Sequence, residues 1–129
     1  GTNSLAQHAA VTALNSSLEP TYEMVAAFRK RKEFVIEALG KINGVNINDP
    51  KGAFYAFPDI SYFFGKSDGK TTINNDEDLA MYLLHTAHVS TVCGSAFGNN
   101  NCIRISFATS MEKLNEGILR MKQALDALH

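Results

Sequence analysis

The segment Cys102-Ile103-Arg104-Ile105-Ser106-Phe107-Ala108 alternates between two kinds of side chain. Ile103, Ile105 and Phe107 recur at every second position, the period of a β-strand with one buried face. Arg104 falls on the other face, with Ser106 and Ala108 as small neighbours that leave room beside the guanidinium. An arginine held in this way offers a fixed two-pronged donor that matches a carboxylate. The same pattern also describes a solvent-facing arginine on the polar side of an edge strand, and pattern alone favours that plainer description.

Downstream, Thr109-Ser110-Met111-Glu112 has the spacing of a capping box and predicts a helix start. Leu114, Ile118, Met121, Leu125 and Leu128 then follow at steps of four and three, a strong amphipathic stripe. Upstream lies the glycine-bounded loop Gly94-Ser95-Ala96-Phe97-Gly98, preceded by a strand candidate from His88 or Val89 to Cys93. Asn75 is placed to cap a helix running to about Ala87. Its acidic first turn, Asp76-Glu77-Asp78, suits the helix dipole.

Residues 65–75 read as the most flexible loop, and Ala53 to Phe57 as an aromatic strand stopped by Pro58. Asn48-Asp49-Pro50-Lys51-Gly52 reads as a turn after a short strand from Gly44 to Asn48. Between Tyr22 and Leu39, the apolar Val25, Phe28, Val35, Ile36 and Leu39 form one helical stripe, with Gly40 as its stop and Pro20 near its start. Residues 4–14 are alanine-rich and favour another helix. This order predicts an α+β fold, a small, mainly antiparallel sheet covered by helices on one face.

The chain has 129 residues, enough for one domain with a modest core. Hydrophobic residues make up 45% and charged residues 19%, and 12 basic side chains against 13 acidic ones give a net charge of -1. That balance provides no electrostatic attraction for nucleic acid or an anionic membrane. No stretch has the length of a membrane span and no signal peptide is visible. Cys93 and Cys102 are too few for a disulfide scaffold or a structural zinc site, and read as reduced thiols of a cytoplasmic protein.

Other motifs are weaker. Gly65-Lys66-Ser67 copies the end of a P-loop, but Ile60 stands where the first glycine is needed. Gly94 to Gly98 has the glycine-flanked serine of a nucleophile elbow, yet joins strand to strand rather than strand to helix. His85 and His88 have no third metal ligand nearby. The basic run Arg29-Lys30-Arg31-Lys32 reads as a solvated helix face, with Arg29 four residues before Glu33. Phe54, Phe57, Phe63 and Phe64 are of the type more often found in a core than lining a ligand. From these residues alone, a stand-alone α+β module that binds a small carboxylate, or a dimerisation domain, remains open.

Taken together, four segments resemble class I (fold type I) pyridoxal-phosphate-dependent aminotransferases of the aspartate and prephenate branch. They are Thr2-Asn3-Ser4-Leu5-Ala6-Gln7-His8-Ala9-Ala10, then Phe28 to Lys32, then Pro50-Lys51-Gly52-Ala53-Phe54-Tyr55-Ala56-Phe57-Pro58-Asp59, and finally Gly94 to Gly98 with Ile103 to Ser110. The resemblance implies the C-terminal small domain over residues 21–129. Residues 1–20 would be a remnant of the large domain and the interdomain connection.

It further implies that Arg104 grips the substrate α-carboxylate and that Phe54 lines the substrate side of the cleft. Amino acids and 2-oxo acids would be the substrates, pyridoxal 5'-phosphate the cofactor, and a homodimer the parent enzyme. The residue before the loop glycine is usually proline in the family, whereas Cys93 stands here. No lysine of this sequence matches the Schiff-base position, which lies upstream in the family. The chain alone is therefore expected to be inactive and not to bind the cofactor.

Overall fold

The computed structural model describes residues 1–129. Helices α1 (Ser4–Asn15) and α2 (Glu19–Gly40) come first, followed by strand β1 (Tyr55–Ala56) and helix α3 (Asp76–Tyr82). Strands β2 (Val92–Cys93) and β3 (Ile103–Ser106) and helix α4 (Met111–Asp126) complete the order. Single turns of tighter helix lie at Ser61–Phe63 and Gly94–Phe97, and α3 runs on as a wider π-turn over Leu83–Ala87.

The sheet has the order β1-β3-β2 with both pairings antiparallel. β3 is therefore the central strand, which corrects the edge-strand description of Arg104. Ala56 lies opposite Ile105 and Cys93 opposite Ile103, while Tyr55 lies opposite Ser106 and Val92 opposite Arg104. Ala56, Ile103, Ile105 and Phe107 are buried. They join one cluster with Val35 and Leu39 of α2, Leu79 and Leu83 of the α3 segment, and Leu114, Ile118, Met121 and Leu125 of α4. Burying each large aliphatic or aromatic side chain contributes about 1.5–3 kcal/mol. One sheet face is thus covered by helices, and the other carries Arg104.

Side-chain caps set the helix starts. Asn75 accepts from the Asp78 backbone N–H at the start of α3, and Ser110 accepts from the Lys113 N–H at the start of α4. The α4 cap is therefore Ser110, one residue later than the Thr109–Glu112 box. The buried Tyr82 hydroxyl donates to the Ala124 carbonyl at 3.0 Å, satisfying an acceptor in the last turn of α4. Burial, with Asp68 adding to it, pushes that phenol up from its ordinary value.

Several expectations are corrected. Gly44 to Asn48 is not a strand: only Asn46 pairs, exchanging backbone bonds with Asp59 at 3.0 and 2.7 Å. Gly44 has φ 84°, so the chain arrives there from a turn, and Pro50 follows before a ladder can form. The aromatic strand shrinks to Tyr55–Ala56, because Ala53 sits at φ 57° and Pro58 has no N–H to extend the pairing. The strand proposed from His88 or Val89 shortens to Val92–Cys93, since His88 adopts φ 54° to end the π-turn.

The loop at 65–75 is pinned rather than free. Ser67 and His129 exchange backbone bonds, both 3.1 Å, and Asp68 accepts from the Lys70 and Thr71 N–H groups. On α2, Val25 is exposed because nothing in the chain covers the first turns of this helix, while Phe28 and Ile36 further along it are half-buried. Arg29 makes no ion pair with Glu33; Lys32 instead reaches Asp49 at 2.7 Å. In α1 every residue is exposed.

Candidate functional site

The guanidinium of Arg104 lies against two aromatic rings. Its central carbon is 4.4 Å from the centroid of Tyr55 and 4.2 Å from that of Phe97. The residue is half-buried, and stacked cation–ring contacts of this kind each contribute about 0.5–1 kcal/mol when partly exposed. The ion pairs of the chain are Lys32–Asp49, Lys51–Asp49, Lys41–Glu37, Arg120–Glu116 and Lys122–Asp126. Arg104 belongs to none of them. The two rings hold the planar fork by its surface and leave its N–H donors without an acceptor from this chain. A cation so held, half out of water and unpaired, is suited to an external carboxylate.

The two rings reach Arg104 by different routes. Tyr55 comes from the neighbouring strand, and its register opposite Ser106 puts it on the same sheet face as Arg104. Phe97 comes from the turn between β2 and β3. That turn depends on Gly94, whose N–H donates to the Cys102 carbonyl at 2.9 Å. A Cβ at Gly94 would lie 2.3 Å from the backbone oxygens of both Asn99 and Cys102, so only glycine fits. Gly98, at φ 83°, closes the turn, and its N–H donates to the Ser95 carbonyl at 3.1 Å. The Phe97 ring also meets Phe57 edge-on, with centroids 6.3 Å apart.

Phe54 does not touch Arg104. Its ring packs 4.5 Å from Tyr55 and 6.0 Å from Phe28, which in turn meets Phe107 at 6.4 Å. It extends the aromatic wall away from the guanidinium toward α2 and stays 39% exposed. Of the phenylalanines taken as core, Phe63 is buried while Phe57 and Phe64 are half-buried.

Tyr55, Phe97 and Asp76 were not singled out by the sequence. Tyr55 had a legible signal, since an antiparallel partner of β3 must put alternate residues beside Arg104. Phe97 had none, because a turn residue carries no periodicity. Asp76 looked like an ordinary helix-start acid, yet it is 3% exposed and accepts from the Ser95 N–H at 2.7 Å.

The weaker motifs carry no site. Lys66 lies over the Tyr62 ring at 4.0 Å, His85 and His88 belong to no group of three metal-binding side chains, and both cysteines are free thiols. Burial, followed by the charges of Asp59 and Asp76, pushes the Cys102 thiol up from its ordinary value, away from thiolate reactivity. No lysine is buried. Lys32, Lys41, Lys51 and Lys122 are ion-paired. Nothing here resembles the desolvated amine that condenses with an aldehyde. The unpaired Arg104 guanidinium has the chemistry to take a carboxylate, whereas no lysine here has the buried setting of an amine that holds an aldehyde cofactor. No helix is long and apolar enough to cross a membrane.

Residues 2–121 match the family model described as aminotransferase class I and II. A bifunctional aspartate aminotransferase and glutamate/aspartate-prephenate aminotransferase from Petunia hybrida is 44% identical over 97% of this chain. An aspartate/prephenate aminotransferase from Nitrosomonas europaea is 40% identical over 95% of it. The chain spans 27% and 32% of the length of these two relatives. The crystal structure of an aspartate aminotransferase from Rhizobium meliloti superposes with a TM-score of 0.93 at 38% identity, covering 98% of this chain and 32% of that one. With its fold and its sequence in agreement, the chain belongs to the class I and II aminotransferase family.

Proposed function

We propose that this chain is the small-domain portion of a pyridoxal-phosphate-dependent aminotransferase and that Arg104 binds the substrate carboxylate. The observation that carries the reading is the unpaired guanidinium of a family member, held between Tyr55 and Phe97 with its donors free. The amino donor is aspartate-like, as the names of the relatives indicate, and the acceptor is a 2-oxo acid. Fixing the carboxylate orients the bond at the amino-acid α-carbon, so positioning is the contribution of these residues. The cofactor supplies the electron sink when bound; the residues that hold it belong to other parts of the longer polypeptide, as does the lysine.

Phe54 continues the wall that faces the substrate side chain. Residues 1–20 belong with the large domain, which accounts for the exposure of Leu5, Val11 and Leu14 in α1, and residues 21–129 form the small domain. The longer enzyme is a homodimer of the cytoplasm, and the chain by itself does not turn over. Arg104→Ala in the full-length enzyme tests the assignment. It lowers kcat/KM by an amount equivalent to about 3–5 kcal/mol, as expected when a buried charge loses its partner. A near-normal value refutes the role.

A further inference from the structure

Burying a charge is costly unless it is paired or well hydrogen-bonded, and Asp76 is the one charged residue buried in this protein. No lysine or arginine pairs with it. Its Oδ2 accepts instead from the backbone N–H of Ser95 at 2.7 Å, across 19 positions of sequence. Ser95 lies two residues before Phe97, in the same tight turn. The fold already has an N-cap for α3 in Asn75, so helix initiation does not require this acid.

From these observations we propose that Asp76 is a positioning residue for Arg104. By holding the backbone of Ser95 it seats the Gly94–Phe97 turn so that the Phe97 ring rests against the guanidinium. Phe97 needs such an anchor because the residue is 49% exposed, and its ring meets Phe57 and Arg104 at the surface rather than the core. The turn is fixed at one end by Gly94 and at the other by Gly98, and Asp76 holds the segment between them. Burial pushes the Asp76 carboxyl up. The Ser95 N–H bond, helped by the Ser95 hydroxyl and the nearby N–H groups of Asp76 and Glu77, outweighs that and holds it below the usual carboxylate range. It is thus an ionised, strong acceptor near neutrality.

The consequence for substrate rests on the reading of Arg104 as a carboxylate site, whereas the positioning does not, and nuclear magnetic resonance of the 129-residue chain separates the two. The Nε–H signal of Arg104 is shifted by ring currents from Tyr55 and Phe97, and succinate serves as the carboxylate probe. Asp76→Ala removes the Phe97 share of that shift, as Phe97→Ala does, and weakens succinate binding roughly fivefold. Asp76→Asn keeps an acceptor oxygen for Ser95 and restores both. Asp76→Ser, whose hydroxyl is too short to reach Ser95, replaces the alanine variant if that one does not fold.

Combining Asp76→Ala with Phe97→Ala is no worse for succinate than Phe97→Ala alone, because both act through one ring. A variant that loses thermal stability yet keeps the wild-type Arg104 signal and succinate affinity overturns the proposal and leaves Asp76 a structural anchor. If succinate leaves the wild-type signal unmoved while Asp76→Ala still changes it, the positioning stands and the carboxylate reading fails.

Discussion

The two faces of β3 do opposite work with adjacent residues. Ile103, Ile105 and Phe107 disappear into the core beneath the helices, and Arg104 and Ser106 stand on the face that no helix of the chain covers. On the inner face, Ile103, Ile105 and Phe107 join a buried, mainly apolar cluster formed within the chain. On the outer face, the guanidinium is held by rings but left without an acceptor. One strand thereby separates what folds the domain from what it can bind, and substitutions one residue apart should report on different properties.

The largest expected effect is on the inner face. Phe107→Ala, at a site 1% exposed, costs about 3–5 kcal/mol of stability by denaturant unfolding, from lost burial and the cavity left behind. A cost within ~1 kcal/mol would mean that the inner face is not the core. On the outer face, Arg104→Ala changes stability by only about 0–1 kcal/mol, the scale of partly exposed cation–ring contacts. If it unfolded the chain instead, Arg104 would be a structural residue and the contrast between the faces would vanish. Smallest of all is α1, where no residue is buried. In the isolated monomeric chain its amides should exchange far faster than those of α4, as expected for a helix without tertiary support. Protection equal to that of α4 would contradict the assignment of residues 1–20 to another domain.

The same contrast explains what could be read from the sequence. Period-two alternation located β3, and period-3.6 stripes located α4, since both patterns arise from burial against the chain's own core. The stripe of α2 was half right: Val35 and Leu39 are buried, whereas Val25 meets no partner within these residues. Periodicity reports that a face is apolar and not what covers it. The short strands were overextended because Ala53 and His88 adopt positive φ there, a conformation that neither residue type announces. The site was legible only in its centre. Arg104 is conspicuous among apolar neighbours, but Phe97 reaches it through a turn whose Ser95 N–H donates to the distant Asp76, and such long-range pairing has no local signature.

The most direct measurement is a crystal structure of the full-length enzyme with a dicarboxylate inhibitor bound. The expected result is one inhibitor carboxylate on the Arg104 guanidinium through paired hydrogen bonds, with Tyr55 and Phe97 still flanking it. Finding Arg104 paired instead with an aspartate or glutamate from another part of the polypeptide, and the inhibitor elsewhere, would contradict the carboxylate-binding role.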